Sequence, residues 1–179
     1  MIDPLFDLTG KVALITGGSR GLGLEMVRAF AAHGADVIIA SRKLDACEAA
    51  AAEVRALGRR ALAVAAHVGR WDEIDRLIDA AYEEFGRVDI LVNNAGMGPR
   101  MPSHEVSEEL FDKVIGLNFK GPFLTDIAKA WTPEAREKSN NALGRPGLPH
   151  EVVTSALYLA SPASSYTTGT MLRVDGGMW

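Results

Sequence analysis

Three glycines at fixed spacing open the chemistry of this chain. Thr16-Gly17-Gly18-Ser19-Arg20-Gly21-Leu22-Gly23 follows a short apolar run, residues 11–16, and leads directly into a helical pattern, residues 22–33. The spacing is Gly-x-x-x-Gly-x-Gly. Residues without a Cβ let a backbone turn sharply and approach a bulky anion closely. A helix that starts there offers N–H groups with no intrahelical acceptor and a partial positive charge, and together these suit a diphosphate. A strand before the glycines and a helix after them separate this pattern from a mere tight turn. A second constellation, Asn93-Asn94-Ala95-Gly96, stands 70-odd residues later at the end of another apolar run. Two amides and a glycine at a strand's carboxyl end can fix a loop against a bound nucleotide, although alone they would read as a turn.

The first motif has a rival reading. Gly17, Ser19 and Gly21 also spell Gly-x-Ser-x-Gly, the nucleophile elbow of a serine hydrolase, and Asp126 and His150 follow in the right chain order. The elbow would then sit on the first strand, with no oxyanion loop before it, which weighs against a hydrolase.

These residues need elements to position them. Residues 11–16 read as a buried strand and residues 22–33 as a helix closed by Gly34. Residues 37–40 form a second strand and residues 45–57 an Ala-rich helix ended by Gly58. A weaker third strand covers residues 61–68. An amphipathic helix covers residues 72–85, with Ile74, Leu77, Ile78, Ala81 and Phe85 on one face, and residues 88–92 form a fourth strand. Strand and helix alternating four times without hairpin signals imply a parallel sheet covered on both faces. Right-handed crossovers put the third and second strands on one side of the first and the fourth strand on the other. The ligand crevice then lies where the first and fourth strands diverge, at their carboxyl ends. Further on, residues 107–120 read as a helix, residues 131–149 as irregular, residues 151–160 as a helix and residues 170–174 as a last strand.

The bulk numbers fit one α/β domain. The chain has 179 residues, 47% hydrophobic and 23% charged, with a net charge of −4. No basic surface calls for nucleic acid, no long apolar run calls for a membrane, and no metal site is expected. The adjacent Arg59 and Arg60 read as solvated surface. The single cysteine, Cys47, excludes an internal disulfide, reads as a small packed residue, and fits a cytoplasmic location. His33, His104 and His150 are scattered and carry no assigned role.

With Asn118-Phe119-Lys120-Gly121, Leu143-Gly144-Arg145-Pro146-Gly147 and Val174-Asp175-Gly176-Gly177 added to the two motifs, the chain resembles the short-chain dehydrogenase/reductase family along nearly its whole length. The resemblance implies a three-layer Rossmann-type sheet that binds NAD(H) or NADP(H) and moves hydride to or from a carbonyl or alcohol. It implies that Gly17, Gly21 and Gly23 line the diphosphate, with Ser19, Arg20 and Leu22 of the same turn also binding the cofactor. By the same resemblance His67 and Val68 lie near the adenine (the family often has Asp at position 67), Asn94, Ala95 and Gly96 flank the adenosine ribose, and Asn118 is the catalytic asparagine. For the choice of cofactor, an acid ending the second strand would accept the ribose hydroxyls of NAD. Here that end reads Ala40-Ser41-Arg42, and Arg42 with Arg20 suits a 2′-phosphate, so NADP(H) is expected over NAD(H).

What is absent matters as much. The family's chemistry uses a Tyr-x-x-x-Lys pair on one helical face, with a serine ahead of it. Tyr82, Tyr158 and Tyr166 are followed four residues later by Gly86, Pro162 and Thr170, so each reads as packing or surface. Gly121-Pro122-Phe123 resembles both the end of the helix bearing Asn118 and a segment the family places after its sixth strand. That double likeness is what remains when everything between two similar tripeptides is removed. The expectation is therefore an incomplete fold: residues 1–120 form the nucleotide-binding half, and residues 121–179 are a remnant of the other. The fifth and sixth strands and the catalytic helix are missing, activity is impaired or absent, and the family's oligomer interface is partly lost. A form carrying the segment would be an ordinary NADP-dependent oxidoreductase.

Overall fold

The computed structural model describes residues 2–96 and 141–177. Four strands, β1 (Val12–Thr16), β2 (Asp36–Ser41), β3 (Ala61–Ala65) and β4 (Ile90–Val92), alternate with three helices, α1 (Gly21–Ala32), α2 (Leu44–Ala56) and α3 (Trp71–Phe85). All pairings are parallel and the strand order is β3-β2-β1-β4, as the crossover rule requires. The register sets Thr16 beside Ala40 and Ile15 beside Val92, so the carboxyl ends of the three strands that frame the crevice finish level.

Alternation along β1 and β2 divides the core in two. Ala13, Ile15, Val37 and Ile39 face one side, where α1 and α2 present Met26, Val27, Phe30, Cys47, Ala50, Ala51 and Val54 at helical spacing. Val12, Leu14, Ile38 and Ala40 face the other, covered by Leu77 and Ala81 of α3. The small residues of α2 let that helix lie close to the sheet. Ile78, at the flank of the α3 stripe, is partly exposed. Leu8 is fully buried beneath the first layer and tied by its N–H to the His33 carbonyl. An isolated apolar residue in a polar leader carries no periodic signal, and the sequence reading missed it.

β1 and β4 are clasped at both ends. The Asp89 carboxylate accepts the Val12 N–H at 2.9 Å and is also ion-paired to Arg87, which holds its pKa below the ordinary range. At the other end the buried Thr16 hydroxyl donates to the Val92 carbonyl at 3.2 Å and accepts the N–H groups of Asn94 and Ala95, each at 3.0 Å. One proton and two lone pairs are thereby all used.

The described C-terminal residues form a short α4 (Val153–Ala160), entered through a 3-10 turn at Pro149–Val152. The buried Val152 of the turn and Leu157 of α4 join the α1 side of the core. Glu151 accepts two bonds from Arg145, at 2.8 and 2.7 Å, and a third from the Leu148 N–H at 2.6 Å. Asn141 bridges the carbonyls of Arg145 and Asp175. A side chain at Gly176 would collide with it, because a Cβ there would fall 2.4 Å from Asn141 Nδ2.

Several expectations need correction. Residues 170–174 are not a strand. No strand pairs with them among the described residues, and Leu172 and Val174 instead border a cavity of about 290 Å³ beside β4, with Ile90, Val92 and Leu159 on its other walls. The surface of β4 is correspondingly bare, with Leu91 58% exposed in mid-strand. β3 stops at Ala65 because the next residues turn: the His67 N–H goes to Glu73 and the Gly69 N–H to the His67 ring. Arg59 and Arg60 are not simply solvated. They pair with Asp36 and Glu84, and Arg60 lies over the Phe85 ring. The expected helix at residues 107–120, and Gly121-Pro122-Phe123, lie outside the described residues.

Two predictions follow from these clasps. Thr16→Val keeps the shape but leaves the Asn94 and Ala95 N–H groups without an acceptor, and should cost about 1–3 kcal/mol in urea denaturation; a loss near zero would show that the clasp is idle. The Glu151 carboxyl, pulled from 4.5 to about 2 chiefly by Arg145, should titrate there in a carbon-detected NMR series. Because its folded pKa lies below the unfolded one, its stabilisation is complete above pH 4.5 and is lost as pH falls toward 2. Arg145→Ala should return the midpoint toward 4.5.

Candidate nucleotide-binding site

The glycine turn leaves β1 at its carboxyl end and folds over the ends of β2 and β4. Gly17 takes φ +66° and Gly21 φ +57°, left-handed values that favour glycine. The Gly17 N–H donates to the Ala40 carbonyl at 2.7 Å, tying the turn to β2. Gly23 serves close packing: a Cβ there would lie 2.3 Å from the Gly17 carbonyl oxygen. A Cβ at Gly17 would meet Ala95 Cα at 2.9 Å. These two glycines press the turn, the start of α1 and the loop after β4 together, while Gly21 begins the helix itself.

The helix start is bare. Its N-cap is Arg20, whose side chain makes no capping bond, and no acidic residue occupies the first turn. The first N–H groups of a helix have no carbonyl in a preceding turn to bond. A soluble helix ordinarily closes this gap with Ser, Thr, Asp or Asn at the N-cap. Here the gap stays open at the mouth of the crevice, and that fits a diphosphate group.

The arginines sort into two sets. Arg28, Arg55, Arg59, Arg60, Arg70, Arg76, Arg87, Arg145 and Arg173 each pair with a carboxylate. Among the described residues only Arg20 and Arg42 are arginines without one, and they stand at the turn and at the end of β2. The two segments are joined by a hydroxyl pair, since Ser19 Oγ donates to Ser41 Oγ at 2.9 Å. Cys47, fully buried on α2, sits behind the pair with Sγ 3.1 Å from Ser41 Oγ. His67 and Val68 follow β3 at the same end of the sheet. The His67 Nδ1 accepts the Gly69 N–H at 3.0 Å, so the neutral ring carries its proton on Nε2.

Asn94 has a structural task that the sequence reading did not foresee. Its side-chain amide donates to the carbonyls of Thr16 and Gly17, at 2.9 and 3.3 Å, and so holds the turn. Sequence reasoning missed Thr16, Ser41 and Cys47. The only signal for Thr16 was a hydroxyl at the last position of a buried strand. Asn118 and Asp126 lie outside the described residues. Tyr82 and Tyr166 are exposed, and the Tyr158 hydroxyl is bound to Thr167 Oγ1 at 2.6 Å. The hydrolase reading finds no support. The Ser19 hydroxyl is committed to Ser41, and no described non-glycine residue has a positive φ, so the strained serine of an elbow is not formed. No helix among the described residues is long and apolar enough to cross a membrane.

Comparison with known proteins agrees with this geometry. A family model described as short chain dehydrogenase matches residues 11–140, and one described as enoyl-(acyl carrier protein) reductase matches residues 121–179. Galactitol 2-dehydrogenase of Agrobacterium fabrum (strain C58) is 39% identical over 160 residues, which cover 88% of this chain and 61% of that protein. The chain thus spans less than two thirds of that relative's length. The 3beta-hydroxysteroid dehydrogenase 1 of Eggerthella lenta is 31% identical over 249 residues, covering 96% of this chain and 95% of that protein. Two solved structures superpose over nearly their full lengths. A 7 alpha-hydroxysteroid dehydrogenase complexed with NADH and 7-oxo glycochenodeoxycholic acid has a TM-score of 0.87 and 26% identity, covering 99% of this chain and 98% of that one. The Pseudomonas aeruginosa RhlG/NADP active-site complex has a TM-score of 0.88 and 25% identity, covering 98% and 99%. The glycine turn, the parallel order of the sheet and the Asn94 clasp all fall inside the first family match, and the chain belongs to the short-chain dehydrogenase family.

Proposed function

We propose that this chain binds NADP(H) in preference to NAD(H), and that the family's hydride transfer to a carbonyl or from an alcohol is impaired or absent in it. One observation carries the cofactor choice: Arg20 and Arg42, each next in sequence to one member of the Ser19–Ser41 hydroxyl pair, have no carboxylate partner, and no acid ends β2. Two cations left free beside a strand end suit a dianionic 2′-phosphate, whereas the diol of NAD needs an acceptor. In this reading Gly17, Ser19, Gly21, Leu22 and Gly23 hold the diphosphate against the start of α1. His67 and Val68 border the adenine, and Asn94, Ala95 and Gly96 close the ribose side. Bound NADP(H) would supply or accept the hydride.

The second half of the proposal rests on what the chain lacks. No tyrosine is followed by lysine at the fourth position. An alignment of 249 residues laid on a chain of 179 leaves a long stretch of the steroid dehydrogenase opposite nothing. That supports a removed strand–helix–strand unit, which takes roughly 30 residues or more, at Gly121-Pro122-Phe123. Asn118 is then the one remaining catalytic residue of the family, with no tyrosine to work beside, and the oligomer interface that the lost helix would supply is reduced.

Titration of NADPH and NADH, followed by nicotinamide fluorescence, tests the reading. NADPH should bind more tightly. Arg20→Ala and Arg42→Ala should each weaken NADPH by about 10- to 100-fold, the scale of a hydrogen bond to a charged group, and leave NADH within about twofold. Equal losses for both cofactors would contradict the 2′-phosphate assignment. NADPH consumption on a panel of ketones and aldehydes should stay at background, and robust turnover would overturn the second half.

A further inference from the structure

The Ser19–Ser41 pair has a buried third member. Ser41 Oγ lies 2.9 Å from Ser19 Oγ, 3.1 Å from Cys47 Sγ and 3.4 Å from the Lys43 carbonyl oxygen. A serine hydroxyl has one proton and two lone pairs. Ser19 donates into one lone pair. If Cys47 donates into the other, the Ser41 proton is free to turn toward the crevice. The one acceptor then competing for it is the Lys43 carbonyl, at the long limit for a hydrogen bond and cheap to abandon. The thiol also lies within reach of the Val64 carbonyl at 3.7 Å and the Ser41 carbonyl at 4.0 Å, and Ser41 Oγ, at 3.1 Å, is its nearest partner. Burial pushes the Cys47 pKa up, so the sulfur keeps its proton at neutral pH and remains a donor.

We propose that Cys47 is a positioning residue for cofactor discrimination: its buried thiol fills the inner side of Ser41 and turns the Ser41 hydroxyl outward as a donor to an anionic group on the cofactor's ribose. This rests on the assignment of Arg20 and Arg42 to a 2′-phosphate. It adds to that assignment a residue that never touches the cofactor. A 2′-phosphate takes the Ser41 proton, and a 2′-hydroxyl gains little from it, so the thiol should matter for NADPH and not for NADH.

The test is a set of paired NADPH and NADH affinities for wild type, Cys47→Val, Cys47→Ser, Ser41→Ala and the double variant Cys47→Val/Ser41→Ala. Cys47→Val fills similar space without a donor. It should weaken NADPH by about three- to tenfold and leave NADH within about twofold, a modest effect because sulfur is a weak donor. Cys47→Ser restores a donor and should recover NADPH binding. Ser41→Ala should weaken NADPH by about tenfold, and Cys47→Val should add nothing on that background, the signature of residues acting through one another. Unchanged NADH affinity reports that each variant is folded. A Cys47→Val protein that keeps the full NADPH preference, or loses both cofactors equally, overturns the inference while leaving the arginine assignment intact. A wild type with no NADPH preference overturns both, and Arg42→Ala, silent in that case, identifies the arginine assignment as the point of failure.

Discussion

Backbone N–H groups at the start of α1 have no acceptors within their own helix, and the residues around them keep that gap open. Arg20 gives no cap, and the first turn holds no carboxylate. Gly17 and Gly23 let the turn and the helix meet at distances a Cβ would forbid. The Asn94 amide takes up the carbonyls of Thr16 and Gly17, so the acceptors nearest the turn are already engaged. A helix end left this way must be completed from outside the chain, by solvent or by a ligand. That requirement explains why so much hydrogen bonding is spent where β1, β2 and β4 end.

The same economy is missing on the far side of β4. That strand has three residues, pairs with β1 alone among the described residues, and carries the exposed Leu91. The cavity beside it is walled by α1, β4 and α4 and bordered by Leu172 and Val174. An apolar hollow of this kind forfeits packing on one side of every residue that lines it. Among the described residues the two flanks of β1 therefore differ: toward β2 and β3 the sheet is continuous and covered, and toward β4 it has a single short strand. The glycine turn draws on both flanks, tied to β2 through the Ala40 carbonyl and to the loop after β4 through Asn94.

The first 92 residues were legible because their signals are periodic and local. Apolar runs ending at glycine, and helical stripes such as Leu77 with Ala81, need no partner to be recognised, and the handedness of crossovers then leaves one strand order. The errors share a cause. Residues 170–174 have strand-like composition, but a strand exists only with a neighbour, and composition does not say whether one is there. The bonds of the Asn94 amide to two backbone carbonyls were not foreseen, since a tetrapeptide does not show what its loop will lie against. Ser41 and Cys47, on different elements, meet only in the fold, and no spacing announces the contact. Arg20 and Arg42 were legible as charges. Their freedom from carboxylates became visible only when every other described arginine was seen to be paired.

Amide hydrogen exchange with and without NADPH tests the central claim most directly. If the start of α1 receives the diphosphate, the amides of residues 19–23 should exchange freely in the unliganded protein and become the most strongly protected on saturation, while residues of α4 remain unchanged. Saturation with NADPH that protects another part of the surface and leaves residues 19–23 as labile as before would contradict it.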